Sequence, residues 1–183
     1  VTGGFTIDTV TAGGVSYAGV SATVTNAQLV GIDALELWVT GNVKYNHSPS
    51  AERINWTTAT AIGNDPQGLL ADLSITKEVK LQASGRGSLN LGSGKVVASV
   101  TDFTLSIATM DVKTGNDALG TLGTLSAADV VSVNVTSASL FVGTGHLGLD
   151  ANHAPIDLDG TQIGFSVTGG FTIDTVTAGG VSY

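Results

Sequence analysis

The sequence predicts an all-β protein of about ten to twelve mostly antiparallel strands, with bulges and inward-facing glycines. Such a unit would be a sandwich, a barrel or a solenoid-like member of a tandem array. Three observations carry this expectation. Gly, Ala, Val, Thr, Ser and Leu dominate, and charged residues make up only 12% of the chain. β-Branched side chains of this kind pack well on a pleated surface. Two short patterns recur, each with the period-two alternation of a strand. The seventeen residues "VTGGFTIDTVTAGGVSY" at Val1–Tyr17 also return unchanged at Val167–Tyr183.

The first pattern, V-x3-V-T-[NDS]-[AF]-x-L, occurs at Val20–Leu29, Val96–Leu105 and Val131–Leu140. In each copy the apolar residues hold one parity and then jump to the other. Val20, Ala22 and Val24 give way to Ala27 and Leu29; Val96, Ala98 and Val100 give way to Phe103, Leu105 and Ile107; Val131, Val133 and Val135 give way to Ala138, Leu140 and Val142. One extra residue in a strand turns every later side chain to the opposite face. The flips therefore predict a β-bulge or tight corner around Asn26, Asp102 and Ser137.

The second pattern, [LF]-x-[VA]-[TS]-G-x-[VGF]-x-[YLI], occurs at Leu37–Tyr45, Leu81–Leu89 and Phe165–Ile173. Its parity never breaks, so each copy reads as one uninterrupted strand. Gly41, Gly85 and Gly169 fall on the apolar parity, which predicts coiling or close backbone approach rather than a phosphate loop. The segments 46–68, 113–124 and 148–162 read as loops. The single plausible helix is a turn near Ser126–Val130, capped by Ser126.

The echo defines the organisation. Residues 1–166 are one full β repeat unit, and 167–183 are the first strand of the next. No proline or charged spacer interrupts "GFSVTGGFTIDTV" at the junction. The strand should cross the boundary without a linker, so that neighbouring units share one sheet. Val167, Gly169, Phe171 and Ile173 are the expected assembly residues. In this excerpt the spare strand could pair with another molecule's edge, giving head-to-tail association with neighbouring copies.

Charge and motif content exclude several classes. A formal net charge of −8, with thinly spread Lys and Arg, argues against nucleic acid and anionic membranes as partners. No apolar run is long enough for a membrane-spanning helix, so no membrane insertion is expected. There is no cysteine, hence neither disulfide nor thiolate metal site. The most polar cluster, Gly148–Gly160, holds Asp150, Asn152, Asp157 and Asp159, hard oxygen ligands of the type calcium prefers. It lacks the later glutamate of an EF-hand, so the competing reading is a solvated loop. His146 and His153 lie near these carboxylates with no standard ligand spacing. No nucleophile elbow is present, and Arg53 and Arg86 lie in different patterns, so no enzyme and no cofactor are expected. Trp38, Trp56, Tyr17 and Tyr45 could form a sugar-stacking platform for surface glycans, or pack structurally.

The stretches Gly13–Val20, Leu29–Asn46, Ile54–Ala59, Ala83–Leu91, Gly94–Ser99, Ser139–Asp150 and Gln162–Val176 together resemble a repeat of giant bacterial surface proteins. The phrases "LVGID", "SLFVG", "IGFSV" and "SYAGV" carry the resemblance. It implies an exported, repetitive, extracellular or cell-surface protein with an adhesive or architectural role. It implies no active site.

Overall fold

A computed structural model describes residues 2–29, 35–50, 52–60, 68–70, 73–91, 93–115, 123–144, 147–150, 155–157 and 160–183. The order along the chain is β1 (Thr2–Ala12), β2 (Val15–Leu29), β3 (Leu35–His47), β4 (Val79–Leu91), β5 (Val96–Lys113), β6 (Thr124–Thr144), β7 (Leu147–Leu149), β8 (Pro155–Asp157), β9 (Ile163–Ala178) and β10 (Val181–Ser182). Eight of these form one antiparallel sheet in the order β1-β2-β3-β4-β5-β6-β9-β10, and β7 pairs only with β8. The protein is all-β, and the sheet is open, not closed into a barrel. Each strand of the large sheet lies beside its predecessor, so the chain runs back and forth as a meander. The β1–β2 turn uses Gly13 and Gly14 at φ 59° and 80°, and its copy uses Gly179 and Gly180 at φ 57° and 81°. Two consecutive positive φ values suit the tight hairpin that a right-twisted strand pair needs.

The parity flips are bulges. Register slips between Val24 and Ala27 on β2, between Val100 and Phe103 on β5, and between Val135 and Ala138 on β6. Each slip leaves one extra residue on its strand, so the apolar set on both sides of the bulge faces the same way. Asn26 sits at φ 51°, and its backbone N–H donates to Thr40 Oγ1 at 3.1 Å. On the unbulged strands the same level is occupied by glycine. A Cβ on Gly41 would lie 2.6 Å from the Ser84 carbonyl oxygen, and one on Gly85 would lie 2.4 Å from that of Thr40. Bulges and glycines therefore form one line of close backbone approach across the sheet.

The helical turn expected near Ser126–Val130 is absent: these residues lie within β6. The register slips here too, with Met110 opposite Ala128 and Val112 opposite Leu125. Ala127 takes φ 48°, and its N–H donates to Asp111 Oδ1 at 2.8 Å. A further bulge, held by a carboxylate, explains the break in alternation that a capped turn also fits.

The two faces of the sheet differ. On one face the β3–β4 connection folds back over the strands. Trp56 and Ile75 are fully buried there with Leu73, against Val10, Tyr17, Ile54, Leu70 and Val79. Asn46 satisfies every polar group it brings inside: Nδ2 donates to the carbonyls of Ile54 at 2.9 Å and Thr76 at 3.2 Å, and Oδ1 accepts from Trp56 Nε1 at 2.9 Å. Gly19 makes room, since a Cβ there would lie 2.7 Å from the indole. A smaller cluster of Val97 and Phe141 lies under Leu149 of β7. The opposite face carries rows such as Phe5, Ala22, Val43, Ala83, Leu105, Val133 and Ile173 in register.

Candidate assembly interface

The repeated segment occurs at both ends of the large sheet, and each copy has a neighbour on a different side. In the first copy, Gly3, Phe5 and Ile7 of β1 face Val24, Ala22 and Val20 of β2. In the second, Val167, Gly169, Phe171 and Ile173 of β9 face Leu140, Ala138, Val135 and Val133 of β6. β9 runs without interruption from Ile163 through Val167 to Ala178. The four residues expected from sequence to form the assembly joint thus share one strand face against four apolar residues of β6. Asn134 Nδ2 adds a cross-strand hydrogen bond to Thr172 Oγ1 at 3.0 Å.

Local structure within the copies is the same. Thr11 Oγ1 and Ser16 Oγ are hydrogen-bonded at 3.0 Å, and their equivalents Thr177 and Ser182 at 2.9 Å. Surroundings are not. Val10 and Tyr17 pack against the Trp56 cluster, whereas the equivalent Tyr183 is 54% exposed. Asp8 is buried, and the equivalent Asp174 is exposed. The second copy has the strand without the connection that covers it.

Register across the large sheet has a further property. One row runs Gly3, Val24, Gly41, Gly85, Phe103, Val135, Phe171. Phe171 is the copy of Phe5, so crossing the sheet from β1 to β9 offsets the two copies by two residues, about 7 Å along the strand. An even offset keeps the same side chains on the same face.

The other sequence candidates are placed less tightly. Asp150 follows β7, and Asp157 ends β8, where its Oδ1 accepts from the Gly160 N–H at 2.8 Å. Asn152, Asp159, His146 and His153 lie outside the described residues. Among the described residues no group of three or more His, Asp or Glu could hold a metal ion. Of the aromatic set, Trp56 is fully buried and offers no sugar-stacking surface; Tyr17 packs beside it and is half-buried, as is Trp38, and Tyr45 stacks on His47.

An ionic contact missed in the sequence joins β4 to β6. Lys80 pairs with the Asp129 carboxylate, which also accepts from Thr109 Oγ1 at 2.9 Å. The Lys80 hydrogen bond, and then that of Thr109, holds the Asp129 carboxyl below its ordinary pKa. The residues are 49 apart in sequence, so no local pattern could have paired them.

Comparison with known proteins gave no match: no family model, no curated protein and no solved structure resembles the chain.

Proposed function

We propose that this chain is a structural repeat of a giant extracellular bacterial surface protein. Units 1–166 continue end to end through one β-sheet to form a rod or fibre, and the role is adhesion or cell-surface architecture. The observation that supports it is β9, whose residues 168–178 duplicate β1 and pair with β6 in the place where a following unit's first strand would lie. The even register offset supports it as well, because an odd one would turn each successive unit's apolar face over. In this reading the chain is no enzyme and binds no cofactor. Its partners are copies of itself.

Six strands per unit at a spacing of about 4.8 Å give a rise of ~29 Å per repeat. X-ray scattering from chains of one, two and three tandem units tests this. The maximum dimension should grow by that step in a stiff particle. Increments set by flexible linkers between separate beads would overturn the reading.

A further inference from the structure

Between the level of Leu37 and that of Tyr45, strand parity puts no charged side chain of the described residues on the face opposite the Trp56 connection; Asp129, two residues past Val131 and paired with Lys80, marks its edge. Strand parity puts Phe5 and Ile7, Val39 and Val43, Leu105, Val133 and Phe171 on it, with Ala and Gly between. Phe5 is 76% exposed, and Val39 and Val43 are 40% and 42% exposed. From β1 to β9 and from Leu37 to Tyr45 the face measures about 29 by 27 Å, close to 800 Å². Exposed apolar patches on monomers are about 300–600 Å².

The whole chain, at 18.3 kDa, exposes 11191 Å². A compact monomer of that mass exposes about 8,100 Å². The face matches one side of a standard protein interface, about 800 Å² per partner. We infer that it is covered by the same face of a second copy, closing a two-layer sandwich.

The occupant follows from what surrounds the face. Sheets pack face to face about 10 Å apart through interdigitating apolar side chains, as these rows would. An open trough of about 500 Å³, lined by Leu37, Val39, Val100, Phe103 and Leu140 with Arg86 beside them, gives the facing side chains somewhere to insert. A lipid surface fits less well. Tryptophan favours membrane interfaces, but Trp56 lies under the other face and strand parity puts Trp38 there too. The net charge of −8 offers anionic lipid no attraction. The pairing is separate from strand continuation, which uses the sheet's edges; in an array it would run as one seam joining two rods.

The chain has no cysteine, so single-cysteine variants report each face directly. Val39→Cys and Val43→Cys probe the apolar face, and Thr104→Cys, exposed on the other face, is the control. Maleimide labelling is followed beside light scattering across a dilution series, with and without phosphatidylcholine vesicles. The expected result is an assembly of two copies, or a multiple of two, in which both face cysteines label at least tenfold more slowly than Thr104→Cys and recover on dilution. A monomer whose face cysteines label as fast as the control overturns the inference. So does an assembly with the face still reactive, which would be edge pairing alone. Protection that appears only with vesicles would make lipid the occupant and overturn it equally. Phe103→Lys should lower the assembly to monomer, while the cysteine variants keep the test valid if that change impairs folding.

Discussion

Gly3 and Gly170 meet the same obstacle from opposite sides. A Cβ on Gly3 would lie 2.4 Å from the Thr23 carbonyl oxygen of β2, and one on Gly170 would lie 2.4 Å from the Thr136 carbonyl oxygen of β6. Their copies, Gly169 and Gly4, have nothing within 4 Å. The two segments are thus one strand seen with one neighbour at a time. A strand with both neighbours would need both glycines.

Alanine substitutions separate the two environments. Gly3→Ala and Gly170→Ala should each cost about 1–3 kcal/mol, because backbone must shift to admit the methyl group. Gly4→Ala and Gly169→Ala should be near neutral in this chain. In a chain of two full units, Gly169→Ala should become as costly as Gly3→Ala. Urea denaturation midpoints measure all of these.

Truncation after Ser166 removes most of β9 and uncovers the edge of β6. A second molecule's β1 carries the same residues as the lost strand, so it can fill the place without displacing anything. The shortened chain should form head-to-tail filaments, visible by electron microscopy, because such a contact does not close on itself. A peptide of residues 167–183 in excess should block them. The full chain should associate this way more slowly, since its own β9 must first leave. Monomeric truncated protein at high concentration would count against the β6 edge as an acceptor.

The Trp56 connection should be part of the cooperative fold. Trp56→Ala should cost about 3–5 kcal/mol, the range for deleting a fully buried large aromatic. Asn46→Ala should cost about 1–3 kcal/mol, since it strands the indole N–H and two backbone carbonyls. Calorimetry should show one transition for the parent chain, with a lowered midpoint for either variant.

Asp129 supplies an acid-side dependence. Its pKa is depressed in the folded state by Lys80 and Thr109, so its contribution is complete above the unfolded carboxylate value of about 3.9 and is lost as pH falls through the lower folded value. Both partners reach solvent, at 26% and 55% exposure, which limits the pair to below about 1 kcal/mol. Asp129→Asn should lower stability slightly at pH 6 and make no difference near pH 2. Chemical denaturation at the two pH values checks this.

What the sequence by itself determined were properties with a local cause. The bulges near Asn26, Asp102 and Ser137 follow from a flip in parity, and the narrow approach at Gly41 and Gly85 from glycine on an apolar row. The identity of the first and last strands is printed in the chain. Local pattern misread Ser126–Val130, because a bulge and a short capped turn break alternation in the same way. It read 46–68 as loop, and residues 48–50 and 52–60 carry no strand or helix, but it gave no sign that Trp56 is buried or that the connection is anchored on Asn46 by three side-chain hydrogen bonds. Alternation says that two faces exist, but not which distant segment lies on either. Only the tertiary structure decided that the strands form one open meander, that the Trp56 connection covers one face, and that the two copies sit at opposite ends. The physical reason is that strand pairing and burial join residues tens of positions apart, such as Lys80 with Asp129, for which no period along the chain provides a signal.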